Sequence, residues 1–207
     1  FLNGIAGIDV GYVCVGTSWG TLCVFEAKDE DADVTPLPPI GRTSERGAGS
    51  LPVTAVAGSR QVVAYGNESG DIMFHEVGGE WDELFKISGA GAAVTALVCQ
   101  EWTVVAAFST GTMNVYRADS SERVLEIHAH ARCIHGLALH ENTLVSCSDD
   151  QLVSVWNFEN SVALSSQPVE FVDSFRVADR MLMGVVHTGT EIMCVGYDDE
   201  TMYAKSV

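Results

Sequence analysis

Five stretches of this chain share one layout, and that repetition restricts its fold more than any other feature. The stretches are VCVGTSWGTLCVFE (residues 13–26), VVAYGNESGDIMFHE (62–76), VVAAFSTGTMNVYRA (104–118), TLVSCSDDQLVSVWNF (143–158) and IMCVGYDDETMYAKSV (192–207). Each is an apolar run, a short polar turn usually carrying Gly or Asp, and then an alternating run. With Gly20, Gly70, Gly111, Gln151 and Glu200 taken as equivalent, the units are spaced by 50, 41, 40 and 49 residues. A unit of this size cannot bury its own apolar face, so neighbouring units must stack on one another. A period near 40 to 45 residues with several short strands per unit is the pattern of propeller blades, and the wider spacings read as insertions.

The strands follow from alternation. In the fourth unit the pattern predicts an inner strand at 133–139, a second at 143–146, a third at 152–157 and an outer one at 161–165. Inner segments such as VTALVC (94–99) are apolar without a break, as expected where neighbours cover both faces. No dozen residues carry a 3.6-residue period, so the chain reads as all-β: one β-propeller over residues 1–207, with five recognisable four-stranded blades. Residues 28–50, acidic and then rich in Pro, Gly, Ser and Arg, read as a long surface loop inserted after the first hairpin.

Charge narrows the partners. The net charge is −17, with only 11 Lys and Arg in 207 residues, too few to replace counterions along a phosphate backbone or to favour an anionic membrane. No run approaches the 18 or so apolar residues that a spanning helix requires. Other proteins remain as partners, with a basic peptide segment the best match to the charge. The six cysteines (Cys14, Cys23, Cys99, Cys133, Cys147, Cys194) contain no CxxC pair and mostly sit in apolar runs. They read as free buried thiols in a reducing cytoplasm. The sequon Asn67-Glu68-Ser69 reads as unused for the same reason.

Chemistry is hard to find. GxxxxGK[ST], GxGxxG and HExxH are absent, and the abundant carboxylates read as turn and rim residues, so no enzyme and no cofactor is expected. The nearest thing to a metal motif is His128, His130, Cys133, His135 and His140. Strand geometry splits this set, since His128 and His130 precede a loop while Cys133 and His135 enter an inner strand, so the sequence predicts no metal there. The acidic run 29–33 lacks the turn glycine and closing glutamate of a calcium loop.

The fourth unit resembles the WD-repeat family. His130 stands at the family's Gly-His histidine, with Ala129 for Gly; Ser146, the run Ser148-Asp149-Asp150 and Trp156 follow, with Asn157 for the usual Asp. The resemblance implies a hydrogen-bonded tetrad of His130, Ser146, Asp150 and Trp156 tying the blade together. The Trp position holds Phe25, His75, Tyr116 and Lys205 in the other units, which departs from the pattern. GIAG…VCVGTSWG, IHAHARCIHGLAL and VGYDDETMYAKSV are similar to the C-terminal part of one group of intracellular WD-repeat propellers without assigned catalysis. The resemblance implies a ring of seven blades, completed by N-terminal blades of the same protein.

Propeller partners usually dock on turns, because the blades are packed scaffold. Trp19 is the leading candidate, since a turn rarely needs a large aromatic and Trp is enriched at binding hot spots. Arg132, beside the tetrad histidine, is the second, and the turn acids Glu68, Asp198 and Asp199 suit a basic segment. The expected function is a non-enzymatic scaffold or adaptor of an intracellular, cytoplasmic complex. The alternative is a peptide-motif reader or substrate-recognition subunit of a modifying enzyme.

Overall fold

A computed structural model describes residues 2–8, 10–26, 35–36, 51–89, 91–157 and 169–207. Every regular element among them is a strand, arranged in five antiparallel sheets. Blade 1 is β1 (Leu2–Ile8), β2 (Tyr12–Thr17), β3 (Leu22–Glu26) and β4 (Thr35–Pro36). Blade 2 is β5 (Val53–Gly58), β6 (Val62–Asn67), β7 (Ile72–Glu76) and β8 (Glu83–Ile87). Blade 3 is β9 (Val94–Gln100), β10 (Thr103–Phe108), β11 (Thr112–Arg117) and β12 (Glu122–His128). Blade 4 is β13 (Ile134–His140), β14 (Thr143–Ser148), β15 (Leu152–Asn157) and β16 (Glu170–Arg176). Blade 5 is β17 (Leu182–His187), β18 (Glu191–Gly196) and β19 (Met202–Ser206).

The all-β propeller reading holds, with three adjustments to its strands. The fifth sheet has three strands among the described residues, not four. The segment 161–165 lies outside them, and the outer position of blade 4 is filled by β16, beyond it. Within the insertion 28–50, Thr35–Pro36 pairs with β3 as a two-residue edge strand; the remainder lies outside the described residues. Proline is tolerated there because an edge strand can leave a ladder position without a donor.

The blades are held by one another. Inner strands pack in sequence, β1 beside β5, β5 beside β9, β9 beside β13 and β13 beside β17. Four apolar layers fill the spaces between them. Leu22 and Val24 meet Val63 and Tyr65; Ile72 and Phe74 meet Val104 and Ala106; Met113 and Val115 meet Ile134 and Leu144; Val145 and Val153 meet Leu182 and Ile192. Each fully buried side chain of this size contributes about 1.5–3 kcal/mol relative to exposure. Among the described residues no such layer joins blade 5 to blade 1. The free flank of blade 5 instead exposes Met183, Val186 and Val195, which alternate with the buried Leu182, Ile192 and Cys194.

Candidate functional site

Pairing fixes which groups share an end of the arc. The start of each inner strand lies opposite the end of the second strand of its blade: Leu2 opposite Thr17, Val53 opposite Asn67, Val94 opposite Phe108, Ile134 opposite Ser148 and Leu182 opposite Gly196. All five second-to-third-strand turns, and the segments entering the inner strands, therefore sit at one end. Trp19, Glu68, Arg132, Asp198 and Asp199 are all found there.

These turns are shaped by their own side chains. Asn67 Oδ1 accepts from Ser69 N and Asp71 N, both at 3.0 Å, and Thr17 Oγ1 accepts from Trp19 N at 3.3 Å and Thr21 N at 3.2 Å. Such local caps favour a tight turn over continued strand. Gly111 takes φ 87°, and a Cβ there would lie 2.2 Å from the carbonyl oxygen of His130. Gln151 adopts the same left-handed conformation at φ 74° without being glycine. Its Oε1 accepts from Arg176 Nη2 at 2.7 Å and Asp179 N at 3.1 Å, bonds that offset the backbone cost.

On this frame Trp19 is 74% exposed and Tyr197, in the corresponding turn of blade 5, is 66% exposed. Glu68, Arg132 and Asp198 are also exposed. Asp199 differs from the other turn acids: its carboxylate accepts from Arg180 Nε at 2.7 Å, Tyr203 Oη at 2.9 Å and Thr201 N at 3.0 Å. The Tyr203 hydroxyl and the Thr201 amide hold its carboxyl below the usual range, with Arg180 adding to them. Asp199 is a local tie of blade 5. The turn tip itself presents Tyr197, which the sequence reading did not single out.

Blade 4 carries a chain of hydrogen bonds from its third and second strands to the segment entering its first. Trp156 Nε1 donates to Ser146 Oγ (3.1 Å), Ser146 Oγ donates to His130 Nε2 (2.8 Å), and His130 Nδ1 donates to the Asp150 carboxylate (3.0 and 3.1 Å). A carboxylate only accepts, so His130 Nδ1 carries a hydrogen, and in the neutral Nδ1–H tautomer Ser146 donates to Nε2. Burial lowers the His130 pKa, with Asp150 opposing. Asp150 also accepts from Ala131 N at 3.0 Å, anchoring the segment that carries Arg132.

Register puts the other blades on the same frame. Trp156 pairs with Leu144, as Phe25 pairs with Val13, His75 with Val63, Tyr116 with Val104 and Lys205 with Ile192. Blade 2 uses a different tie at these positions: His75 stacks on Tyr65 at 5.7 Å, and His75 Nδ1 donates to the carbonyl of Trp81 at 3.0 Å. In blade 3, Asn114 Nδ2 donates to Tyr116 Oη at 3.2 Å.

Beside the blade 4 tetrad lies a second polar group. His135 Nε2 is 2.8 Å from Asp149 Oδ1, and Cys133 Sγ is 4.0 Å from His135 Nδ1. Burial, reinforced by the Asp149 charge, pushes the Cys133 thiol pKa up. His128, exposed, and His130, committed to the tetrad, are not part of this group.

Residues 16–20 read GTSWG, which has the GxSxG form of a nucleophile elbow. The elbow requires a strained strand-to-helix turn. Here the segment is a hairpin turn between antiparallel β2 and β3, and Ser18 does not take a positive φ.

Similarity to known proteins runs along nearly the whole chain. A family model described as WDR54 matches residues 1–205. WD repeat-containing protein 54 of Mus musculus is 26% identical over 211 residues, covering 96% of this chain and 61% of the mouse protein; the Homo sapiens protein matches to the same extent. The chain thus spans less than two thirds of these relatives. A chain in the crystal structure of the mitotic checkpoint complex superposes with a TM-score of 0.73 at 17% identity, over 95% of this chain and 58% of that one. The computationally designed Ika8 protein superposes over 100% of this chain and 71% of its own, with a TM-score of 0.71 at 18% identity.

Proposed function

Since the chain belongs to the WDR54 family of WD-repeat proteins, which generally act as protein-interaction scaffolds, we propose that it is a non-enzymatic adaptor of a cytoplasmic complex and binds its partner through the turn end of the propeller. The observation that carries this reading is the pair of exposed aromatics, Trp19 and Tyr197, on corresponding turns of blades 1 and 5. Both side chains are largely exposed, and large aromatics dominate binding hot spots. Glu68 and Asp198 lie at the same end, and together with the net charge of −17 they favour a basic segment of the partner.

The adaptor role further rests on a complete ring, and we propose that additional blades of the same protein cover the free flank of blade 5. Support comes from the apolar side chains exposed on that flank, together with the greater length of the relatives. With those blades the ring would have seven.

The test is affinity capture with the full-length protein from its own cells, comparing wild type with a folded Trp19→Ala, Arg132→Glu variant at low and high salt. Loss of a partner from the variant, and weakening of the wild-type complex by salt, would support the turn end and its acids. Identical capture at both salts would contradict them. An isolated basic peptide that binds as tightly as the whole partner would favour the peptide-reader alternative over a scaffold, which buries a larger surface.

A further inference from the structure

In blades 2 to 5 the first residue pair of the inner-to-second-strand ladder is followed by a one-residue register shift: Val53/Ala55, Phe108/Ala107 against β9, Ile134/Gly136 and Leu182/Gly184. The residue bulged out by that shift is Thr54 in blade 2, Thr95 in blade 3, His135 in blade 4 and Met183 in blade 5. In blades 2 and 3 its role is structural, because the threonine hydroxyl donates to carbonyl oxygens, Thr54 to Val94 O at 2.6 Å and Thr95 to Ala107 O at 3.2 Å. Blade 4 replaces that hydroxyl with an imidazole. Two positions before it, Pro52 and Ala93 are replaced by Cys133; at the turn position, Glu68 and Ser109 are replaced by Asp149. Only in blade 4 do all three positions carry residues that can ligate a metal.

We propose that Cys133, His135 and Asp149 form a zinc site at the turn end of blade 4. Each side chain can present one ligand atom such that all three lie within 4.8 Å of one another. Tetrahedral zinc with bonds of about 2.0–2.3 Å spaces its ligand atoms about 3.3–3.6 Å apart, so side-chain rotations of about 1 Å close the site. Two features hold the groups ready. Asp149 N donates to the carbonyl of Cys133 at 3.1 Å, clamping the hairpin turn to the strand entry. The 2.8 Å contact between His135 and Asp149 already brings two of the three ligands together. Zinc takes the place of the proton between His135 Nε2 and Asp149; that proton moves to Nδ1, and the Cys133 thiol proton leaves to solvent as the sulfur binds. The three side chains are all partly exposed, so an ion held there would be within reach of solvent. Three protein ligands with one open position make a site that can accept a further donor.

The test is titration of the full chain with zinc in competition with a chromophoric chelator, with Co2+ as a spectroscopic stand-in. One zinc per chain and a thiolate-to-cobalt charge-transfer band are expected. Cys133→Ser and Asp149→Asn, each checked for an unchanged thermal transition, should weaken binding by at least about tenfold, a loss that even outer-shell substitutions can cause. His128→Gln and Cys23→Ala should bind as the wild type does. Absence of stoichiometric binding, or binding that survives Cys133→Ser and Asp149→Asn or depends on His128, would overturn the assignment. Partner capture is a separate readout, so a failure of this site leaves the adaptor reading standing, and the reverse.

Discussion

Blades 4 and 5 are built on the same hairpin skeleton and differ in what covers them. Blade 4 is packed on both flanks, with Leu144 against blade 3 and Val145 against blade 5, and its tetrad is largely covered, the His130 side chain fully so. Among the described residues blade 5 packs on one flank only, and its polar tie, Arg180–Asp199–Tyr203, joins a nearly covered Asp199 carboxylate to a half-exposed Arg180. At the position held by Trp156 in blade 4, blade 5 has Lys205, whose ammonium reaches Asp173 of β16 at 2.6 Å. A buried hydrogen-bond chain is strong because leaving any member unpaired is costly, whereas exposed ion pairs are weak. The difference teaches that in this fold a blade's stability is set by its neighbours, and polar ties consolidate only what has already been covered.

The sharpest way to break that comparison is Trp156→Ala. It removes a large side chain packed edge-on to Phe171 at 5.4 Å and deprives Ser146 of its donor. The expected loss is about 3–5 kcal/mol in chemical denaturation, while Lys205→Ala at the matching position of blade 5 should stay within about 0.5 kcal/mol. Equal losses would end the contrast. Ser146→Ala comes next: it leaves His130 Nε2 and Trp156 Nε1 without partners at a cost of about 1–3 kcal/mol. Its effect should largely disappear when tested in the Trp156→Ala, His130→Ala background, as expected for residues acting as one network.

Acid should act on the same network. Burial keeps His130 neutral in the folded chain, and its folded pKa lies below the ordinary value of about 6.5 that it regains on unfolding. The unfolded chain therefore binds the proton first. The contribution of the neutral tetrad is complete above pH of about 6.5 and is lost as pH falls from there toward the lower folded value. The melting temperature should fall between pH 7.5 and 5, and His130→Asn should flatten that slope. A slope unchanged by the substitution would assign it instead to His75 and His187, whose pKa values burial also lowers. The smallest effects are expected on the free flank, where Val195→Ala and Val186→Ala, made in residues 1–207 without further blades, should each change stability by no more than about 0.5 kcal/mol.

The sequence made the hairpins legible because second and third strands combine strict alternation with a turn whose chemistry is local. β15 falls at 152–157 as read, and the tetrad residues could be placed from the family pattern. Outer strands were not legible in the same way. β16 is largely exposed and carries Asp173 and Ser174 amid its apolar residues, so its alternation competes with that of neighbouring segments. The tie on Asp199 depends on Arg180, 19 residues earlier, and the Cys133–His135–Asp149 group depends on a hairpin turn folding back onto a strand entry. Proximity created by register has no signature along the chain. Tyr197 could have been found, because its turn was already aligned with the one bearing Trp19.

Native-state hydrogen exchange, read strand by strand on the chain, tests most directly whether coverage by neighbours governs stability. The account expects the slowest amides in β6, β10 and β14, the buried second strands of blades 2 to 4, and markedly faster exchange in β18, the same strand of blade 5. Protection in β18 equal to that in β14 would contradict it.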